Sequence, residues 1–274
     1  GKIFDPQMGS VDLKNKVVKF IGDPQKRIVE DYLRIIRFIR FKLMYDTQME
    51  ESTVSAIKQN LDGIKKISKD RILNELIKII NQRNFSKINE NNFLKEIFCL
   101  IFPEFLYLNR LEKLKKLYDI SKLSKETLLA LLLIDEKDNH EYFIHKYNVS
   151  KKIKNFMLSI ANNLREIQKN KNFLEKDLFK NIYIFGKDHL IALSLVSFSV
   201  NSKTKLKEFS SILKRILEFE IPKFHIDGDF LKKNGMKEGE SIGKVLKKAE
   251  AEWIKNSFKI SDDRIIELIK VSSH

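Results

Sequence analysis

Apolar residues at 28, 32, 35, 36, 39 and 43 recur at the spacing of one helical face and predict a long helix from Pro24 to about Tyr45. Its start is marked by Asp23, a good N-cap, and by Pro24, which suits the first helical position. A second helix is expected over roughly 50–61, and a third begins at Ser68, where SKDR sets an N-cap ahead of RILNELIKII. Amphipathic segments separated by polar loops fill 84–200, among them NNFLKEIFCLIF, RLEKLKKLY, KETLLALLLI, KKIKNFMLSIANNLREI and KDHLIALSLVSF. No 20–50 residue period recurs with matched residues, so a solenoid is not indicated. Beyond 201 the pattern changes to a helix at 203–219, a break at Pro222 and a glycine-containing stretch. Residues 1–22 differ from all of this. They hold three glycines, one proline and the short run VVKFI, and read as the end of a sheet, a turn and a short strand. The chain therefore divides into a connector at 1–22 and helical sections at 23–83, 84–200 and 201–274.

Composition agrees with an all-α fold carrying a short irregular or β remnant at its N-terminus. Glycine (9) and proline (4) are scarce, and between Gly63 and Gly186 Pro103 is the only proline and glycine is absent. Turn-rich β architectures need many more of both. The longest apolar runs, such as LLALLLI at 128–134, are too short to cross a bilayer, and no basic-then-apolar signal segment opens the chain. The single Cys99 lies inside EIFCLIF, where a buried thiol is expected rather than a disulfide or a metal ligand. A reducing, cytoplasmic setting fits. The chain begins at Gly1 without methionine, which reads as a trimmed start.

Charge adds a partner. Lys and Arg total 52 against 37 Asp and Glu, a net +15, which favours RNA, DNA or an anionic surface. Part of the lysine excess follows the over-use of Ile and Asn that AT-rich coding produces. Within this lysine-rich background RIVEDYLR at 27–34 stands apart, because Arg27, Asp31 and Arg34 fall at i, i+4 and i+7 on one polar stripe. Taken alone, such a stripe is an intrahelical ion-pair ladder worth a few tenths of a kcal/mol per pair.

The segment FDPQMGSVDLKNKVVKFIGDPQKRIVEDYLRIIRFIRF resembles the junction of class II tRNA nucleotidyltransferases (CCA-adding enzymes) and bacterial poly(A) polymerases, where a DP..G..DL hinge leads into GDP..R..ED.LR..R..RF. The matching positions are Asp5, Pro6, Gly9, Asp12, Leu13, Gly22, Asp23, Pro24, Arg27, Glu30, Asp31, Leu33, Arg34, Arg37, Arg40 and Phe41. ISKDRILNELIKII resembles that family's second neck motif through Arg71 and Glu75, and GDFLKKNGMKEGESIGKVLKKAEAEWI resembles its C-terminal tail. The resemblance implies that Asp31 and Arg34 read the base of incoming ATP or CTP, with Arg27 reaching sugar or phosphate. Glu30, Arg37, Arg71 and Glu75 would support them. Asp31 would accept from the exocyclic amine of cytosine or adenine, whereas uracil and guanine present a carbonyl there. It also implies an RNA partner, with tRNA favoured, and a catalytic head domain whose Asp-x-Asp pair holds two magnesium ions. No GG.VRD segment or matching carboxylate pair occurs, so this chain is expected to be the neck, body and tail portion. On that reading it holds no metal and is inactive without its head.

Other constellations read more plainly. Asp227 and Asp229 in HIDGDFL are expected to cap a loop and helix. Asp135, Glu136, Asp138, His140 and His145 are expected to form a solvated loop. GESIGKV at 239–245 is one residue short of a P-loop and reads as a turn before a helix, where Lys244, Lys247 and Lys248 are candidates for holding RNA phosphates. Trp253 is expected to be a packing anchor. The alternatives are a poly(A) polymerase portion, a non-catalytic RNA-binding helical protein from a split gene, and a helical scaffold without nucleotide function.

Overall fold

A computed structural model describes residues 4–45, 47–135, 137–200, 206–236 and 239–272. The fold is all-α. The first section holds α1 (Gly9–Lys14), α2 (Pro24–Glu30), α3 (Leu33–Tyr45), α4 (Glu51–Asn60) and α5 (Lys69–Ile80). The middle holds α6 (Asn92–Ile101), α7 (Asn109–Lys115), α8 (Lys125–Leu133), α9 (Asn139–Tyr147), α10 (Lys151–Lys169), α11 (Leu178–Phe185) and α12 (Lys187–Val200). After these come α13 (Leu206–Glu218), α14 (Gly228–Lys233), α15 (Glu240–Lys255) and α16 (Asp262–Ser272). The start expected for α13, at 203, lies outside the described residues.

Two expectations need correction. The N-terminal stretch holds a helix rather than a sheet end: α1 opens after Met8, and the Asp5 carboxylate accepts from the N–H groups of Gly9 (2.7 Å) and Ser10 (2.8 Å). Those donors have no partner inside a first helical turn, so an aspartate placed just ahead of it satisfies them. The β remnant reduces to one isolated parallel bridge, Val17 to Gln48. The second correction concerns the helix expected from 24 to 45. It is broken: α2 ends at Glu30, Asp31 is extended (φ −155°, ψ 102°), and α3 begins at Leu33. The start was correctly read, since Asp23 accepts from Lys26 N–H at 2.9 Å and Pro24 occupies the first turn.

The chain forms two compact units. One takes in the chain up to Arg165 and the stretch beginning at Ala192; the other takes in Glu166–Ile191 and the chain from Lys207 onward. In the first, α2 packs on α4 and α3 on α5, burying Ile28, Ile35, Ile36, Ile39, Ile57, Leu76 and Ile79. A run of aromatic contacts continues this core: Phe98 meets Phe105 edge-on at 5.3 Å, Phe105 meets Phe143 at 5.9 Å, and Phe143 meets Tyr147 at 4.9 Å. Such geometries contribute beyond the area they bury. Helix α8 is buried on every side, as an all-round apolar helix must be, and Arg110 donates to the carbonyls of Leu131 (2.7 Å) and Ile134 (2.8 Å) at its C-terminal end. The second unit centres on Leu231, Val245, Ala249, Ile265 and Leu268. Beside them Trp253 packs against Tyr183, Phe224 and Phe258, with ring centroids 4.9–5.3 Å away, which makes it the anchor expected of it.

Leu131→Ala, in the fully buried α8, is expected to cost about 2–5 kcal/mol, whereas the exposed Leu106→Ala costs about 0.5 kcal/mol or less. Urea denaturation midpoints of the two variants measure the contrast.

Candidate functional site

The break after α2 rearranges the polar stripe of RIVEDYLR. In an unbroken helix the Arg27 carbonyl would accept from the N–H of Asp31; at this helix end that carbonyl accepts instead from Arg34 Nη1 at 2.6 Å. The same Nη1 reaches Glu30 Oε2 at 2.6 Å, and Arg27 Nη1 reaches both Glu30 oxygens at 3.1–3.2 Å. Arg27 also donates through Nε to the carbonyl of Ile21 at 2.9 Å. Glu30, not Asp31, therefore sits between the two arginines. Its carboxyl is held below the ordinary glutamate range, first by the Arg34 hydrogen bond, against partial desolvation, and further by Arg27.

Asp31 belongs to a separate group. One oxygen accepts from Leu33 N–H (3.1 Å), which caps the start of α3, and the other accepts from Arg71 Nη2 on α5 (2.9 Å). The side chains of Asp31 and Arg34 thus serve different partners, the two residues meeting only through the Arg34 N–H and the Asp31 carbonyl, and both side chains stay partly exposed at 27% and 33%. The remaining supporting residues come together as one cluster. Glu75 is buried and meets Arg40 (3.0 Å), Lys78 (3.0 Å) and Arg37 (3.4 Å). Burial alone would raise its carboxyl; Lys78, Arg40 and Arg37 outweigh that and hold it below the usual value.

Arg27, Arg34 and Arg37 line a pocket of about 340 Å³ whose other walls include Phe20, Phe38 and Phe41; Asp31 is not among the lining residues. The Phe20 and Phe38 rings stack with centroids 5.8 Å apart. A cationic, aromatic-walled pocket suits a flat anionic ligand, since cations hold phosphate and rings offer a stacking face.

The tail lysines Lys244, Lys247 and Lys248 are exposed along α15, whose first residue follows Gly239 at φ 148°. Spacing by three and four residues puts 244, 247 and 248 on one helical face. Asp227 accepts from Phe230 N–H at 2.8 Å and so caps α14, as expected. The acidic and histidine group in the middle departs from the solvated loop expected. Asp135 accepts from the N–H groups of Lys137 and Asn139 and from Tyr107 Oη, and His140 is buried within α9; His145 is exposed, and Glu136 lies outside the described residues. Cys99 is a free, half-buried thiol, raised by desolvation.

The family model described as "Probable RNA and SrmB- binding site of polymerase A" matches residues 46–107. CCA tRNA nucleotidyltransferase 1, mitochondrial, of Homo sapiens is 28% identical over 98% of this chain and 62% of its own length. Over nearly its whole length the chain is thus similar to CCA-adding enzymes, and over 46–107 to the RNA-binding segment of polymerase A. It spans less than two thirds of the length of that curated relative. Two solved CCA-adding enzymes share the fold at under 25% identity. The Bacillus stearothermophilus enzyme in complex with CTP has a TM-score of 0.60 and 18% identity, covering 100% of this chain and 70% of that one. The Thermotoga maritima enzyme complexed with tRNA has a TM-score of 0.57 and 22% identity, covering 97% and 66%.

Two features of this chain escaped sequence reasoning. Gly63 lies against the ring of Tyr32, so closely that a Cβ at 63 would stand 2.0 Å from Tyr32 Cδ1. Only the sequence separation of 31 residues hid this contact, since each residue alone is unremarkable. The other is a second pocket of about 720 Å³ edged by Lys58, Lys65, Lys69 and Lys146 over an aliphatic floor. Its lysines come from three separate stretches of chain, and no local pattern announces them.

Gly63→Ala is expected to displace Tyr32 and lower stability by about 1–3 kcal/mol through overpacking, read by thermal unfolding; Tyr32→Ala combined with Gly63→Ala should lose less than the sum of the two. The Glu75 carboxyl is depressed in the folded state, so its stabilisation is full above the ordinary glutamate value and fades as pH falls through the lower folded one. Glu75→Gln is accordingly expected to cost about 1–3 kcal/mol at pH 7, and the gap to wild type to narrow below about pH 4, measured by urea titration at both pH values.

Proposed function

We propose that this chain is the nucleotide- and RNA-binding portion of a template-independent RNA nucleotidyltransferase that adds CCA to tRNA 3′ ends. In this reading residues 23–83 form the neck that reads the base, 84–200 the body, and 201–274 an RNA-binding tail. The observation that carries it is the break between α2 and α3. It leaves Asp31 and Arg34 partly exposed at one helix break, with Arg34 lining a cationic pocket.

The chemistry follows from donors and acceptors. Asp31 accepts from the exocyclic amine of cytosine or adenine, and Arg34 donates to ring acceptors. Uracil and guanine turn a carbonyl toward the carboxylate, leaving two acceptors facing one another, which is costly away from water. Base binding in this scheme exchanges existing contacts. Arg34 gives up its bridge to Glu30, while Arg71 and Leu33 N–H keep the Asp31 carboxylate oriented. Arg27 and Arg37 face sugar and phosphate in the pocket. Asp227 of the Asp-x-Asp pair at 227 and 229 caps α14, and no metal-dependent step of the transfer reaction is assigned to this chain. Catalysis is proposed to need a head domain, in cis or in trans. RNA is proposed to meet the lysines of α15 and those around the second pocket, which lie partly within the matched 46–107 segment. That family model names polymerase A, which favours poly(A) addition as the second reading.

Titration of the full chain with the four ribonucleotides is expected to show ATP and CTP bound more tightly than GTP and UTP. Asp31→Asn, which keeps the Leu33 N–H acceptor but turns the other position into a donor, should erase that preference. Binding indifferent to Asp31, Arg34 and base identity would remove the base-reading proposal. RNA affinity should fall steeply with salt, and replacing Lys244, Lys247 and Lys248 together by Gln should flatten the log–log slope by roughly 2–3, since each phosphate contact contributes about 0.7–0.9.

A further inference from the structure

We propose that Asp138, His140 and Glu141 form a binding site for one divalent transition-metal ion of the zinc type, separate from the nucleotide pocket. The three side chains offer ligand atoms that all lie within 4.8 Å of one another. A second observation, independent of that clustering, points to a ligand. His140 is 1% exposed, and both of its ring nitrogens lack any hydrogen-bond partner. Buried polar atoms are nearly always satisfied by protein, water or an ion, and a buried imidazole with two idle nitrogens is a specific exception that calls for a partner.

The surroundings suit a cation. Asp138 precedes α9 with a left-handed backbone (φ 57°), and its side chain makes no capping hydrogen bond to that helix. Its carboxylate is exposed and touched by Arg165 Nη2 on Oδ1 at 2.5 Å. A carboxylate has about four lone-pair sites, so that single contact leaves capacity for a metal, and Arg165 then orients the ligand from outside. Glu141, exposed on the first turn of α9, supplies the second oxygen. Asp135 is not available, because its oxygens hold Lys137 N–H, Asn139 N–H and Tyr107 Oη.

One nitrogen and two carboxylate oxygens favour zinc over magnesium or calcium, which take oxygen alone. Zinc bonds of about 2.0–2.2 Å set tetrahedral ligand atoms roughly 3.4 Å apart. The two exposed carboxylates therefore close by at most about 1.4 Å on binding, with water as the fourth ligand.

The test is titration of the full chain with Zn²⁺ against a metallochromic indicator, with Co²⁺ absorption as a report on coordination. One equivalent is expected to bind, and millimolar Mg²⁺ should not displace it. Asp138→Asn and Glu141→Gln alter exposed positions and leave the core intact; each should weaken Zn²⁺ at least about tenfold. His140→Phe should abolish binding, and if it unfolds the two surface variants decide. Cys99→Ser and His145→Gln should leave affinity unchanged. Absence of stoichiometric binding to the wild-type chain, affinity unaltered in both carboxylate variants, or loss of binding on changing Cys99 or His145 would each overturn the site.

Discussion

The arrangement around the break between α2 and α3 depends on one close approach, the Tyr32 ring against the bare backbone of Gly63. A helix that could run uninterrupted from Pro24 to Tyr45 is instead cut at Asp31, and the Tyr32 ring takes the space this glycine leaves. Around the cut, Asp31 is held by Arg71 from α5 and by Leu33 N–H, and Arg34 occupies the carbonyl that the helix end exposes. One long-range contact, from Arg71, and two local ones thus hold what helix propensity alone would not. The burial of Ile28 before the cut and of Leu33, Ile35 and Ile36 after it shows why both segments keep a helical apolar rhythm.

That rhythm explains what was legible. Helix starts at Asp23 and Asp227, where the side chain caps, and at Ser68, which holds the cap position without a side-chain cap bond, follow with the all-α class and the packing role of Trp253 from local properties: cap residues, periodicity and the scarcity of glycine. The break at Asp31 was not legible, because positions 28, 32, 35 and 36 satisfy a helical period whether or not the helix is continuous. The helix at Gly9–Lys14 was hidden for a different reason: its cap, Asp5, stands four residues ahead of the first N–H it satisfies. His140 was hidden too. Its loop-like neighbours Asp135, Asp138 and Asn139 suggested solvent, whereas its position on α9 turns it into the core beside exposed Glu141.

The structure sorts the charged residues of 27–34 into two groups that the linear spacing had merged, and sets a third beside them. Glu30 serves Arg27 and Arg34, Asp31 serves Arg71, and Glu75 gathers Arg37, Arg40 and Lys78. Each carboxylate neutralises cations drawn from a strongly basic chain, so the arginines nearest the pocket are locally balanced while the lysines of α15 stay exposed. In the proposed reading a surface divided in this way meets polyanions broadly at its lysines and keeps its arginines for geometry, in line with the planar, directional hydrogen bonding that guanidinium provides and ammonium does not.

The double duty of Arg34 constrains how this surface can change over evolutionary time. Its guanidinium closes a backbone terminus and faces a pocket at once, so altering the residue to suit a different ligand would also open the end of α2. Drift at this position is therefore confined by the fold as tightly as by any partner. New preferences would arise more readily from the neighbouring wall at Phe20 or Phe41, where a ring can be exchanged without unseating a helix.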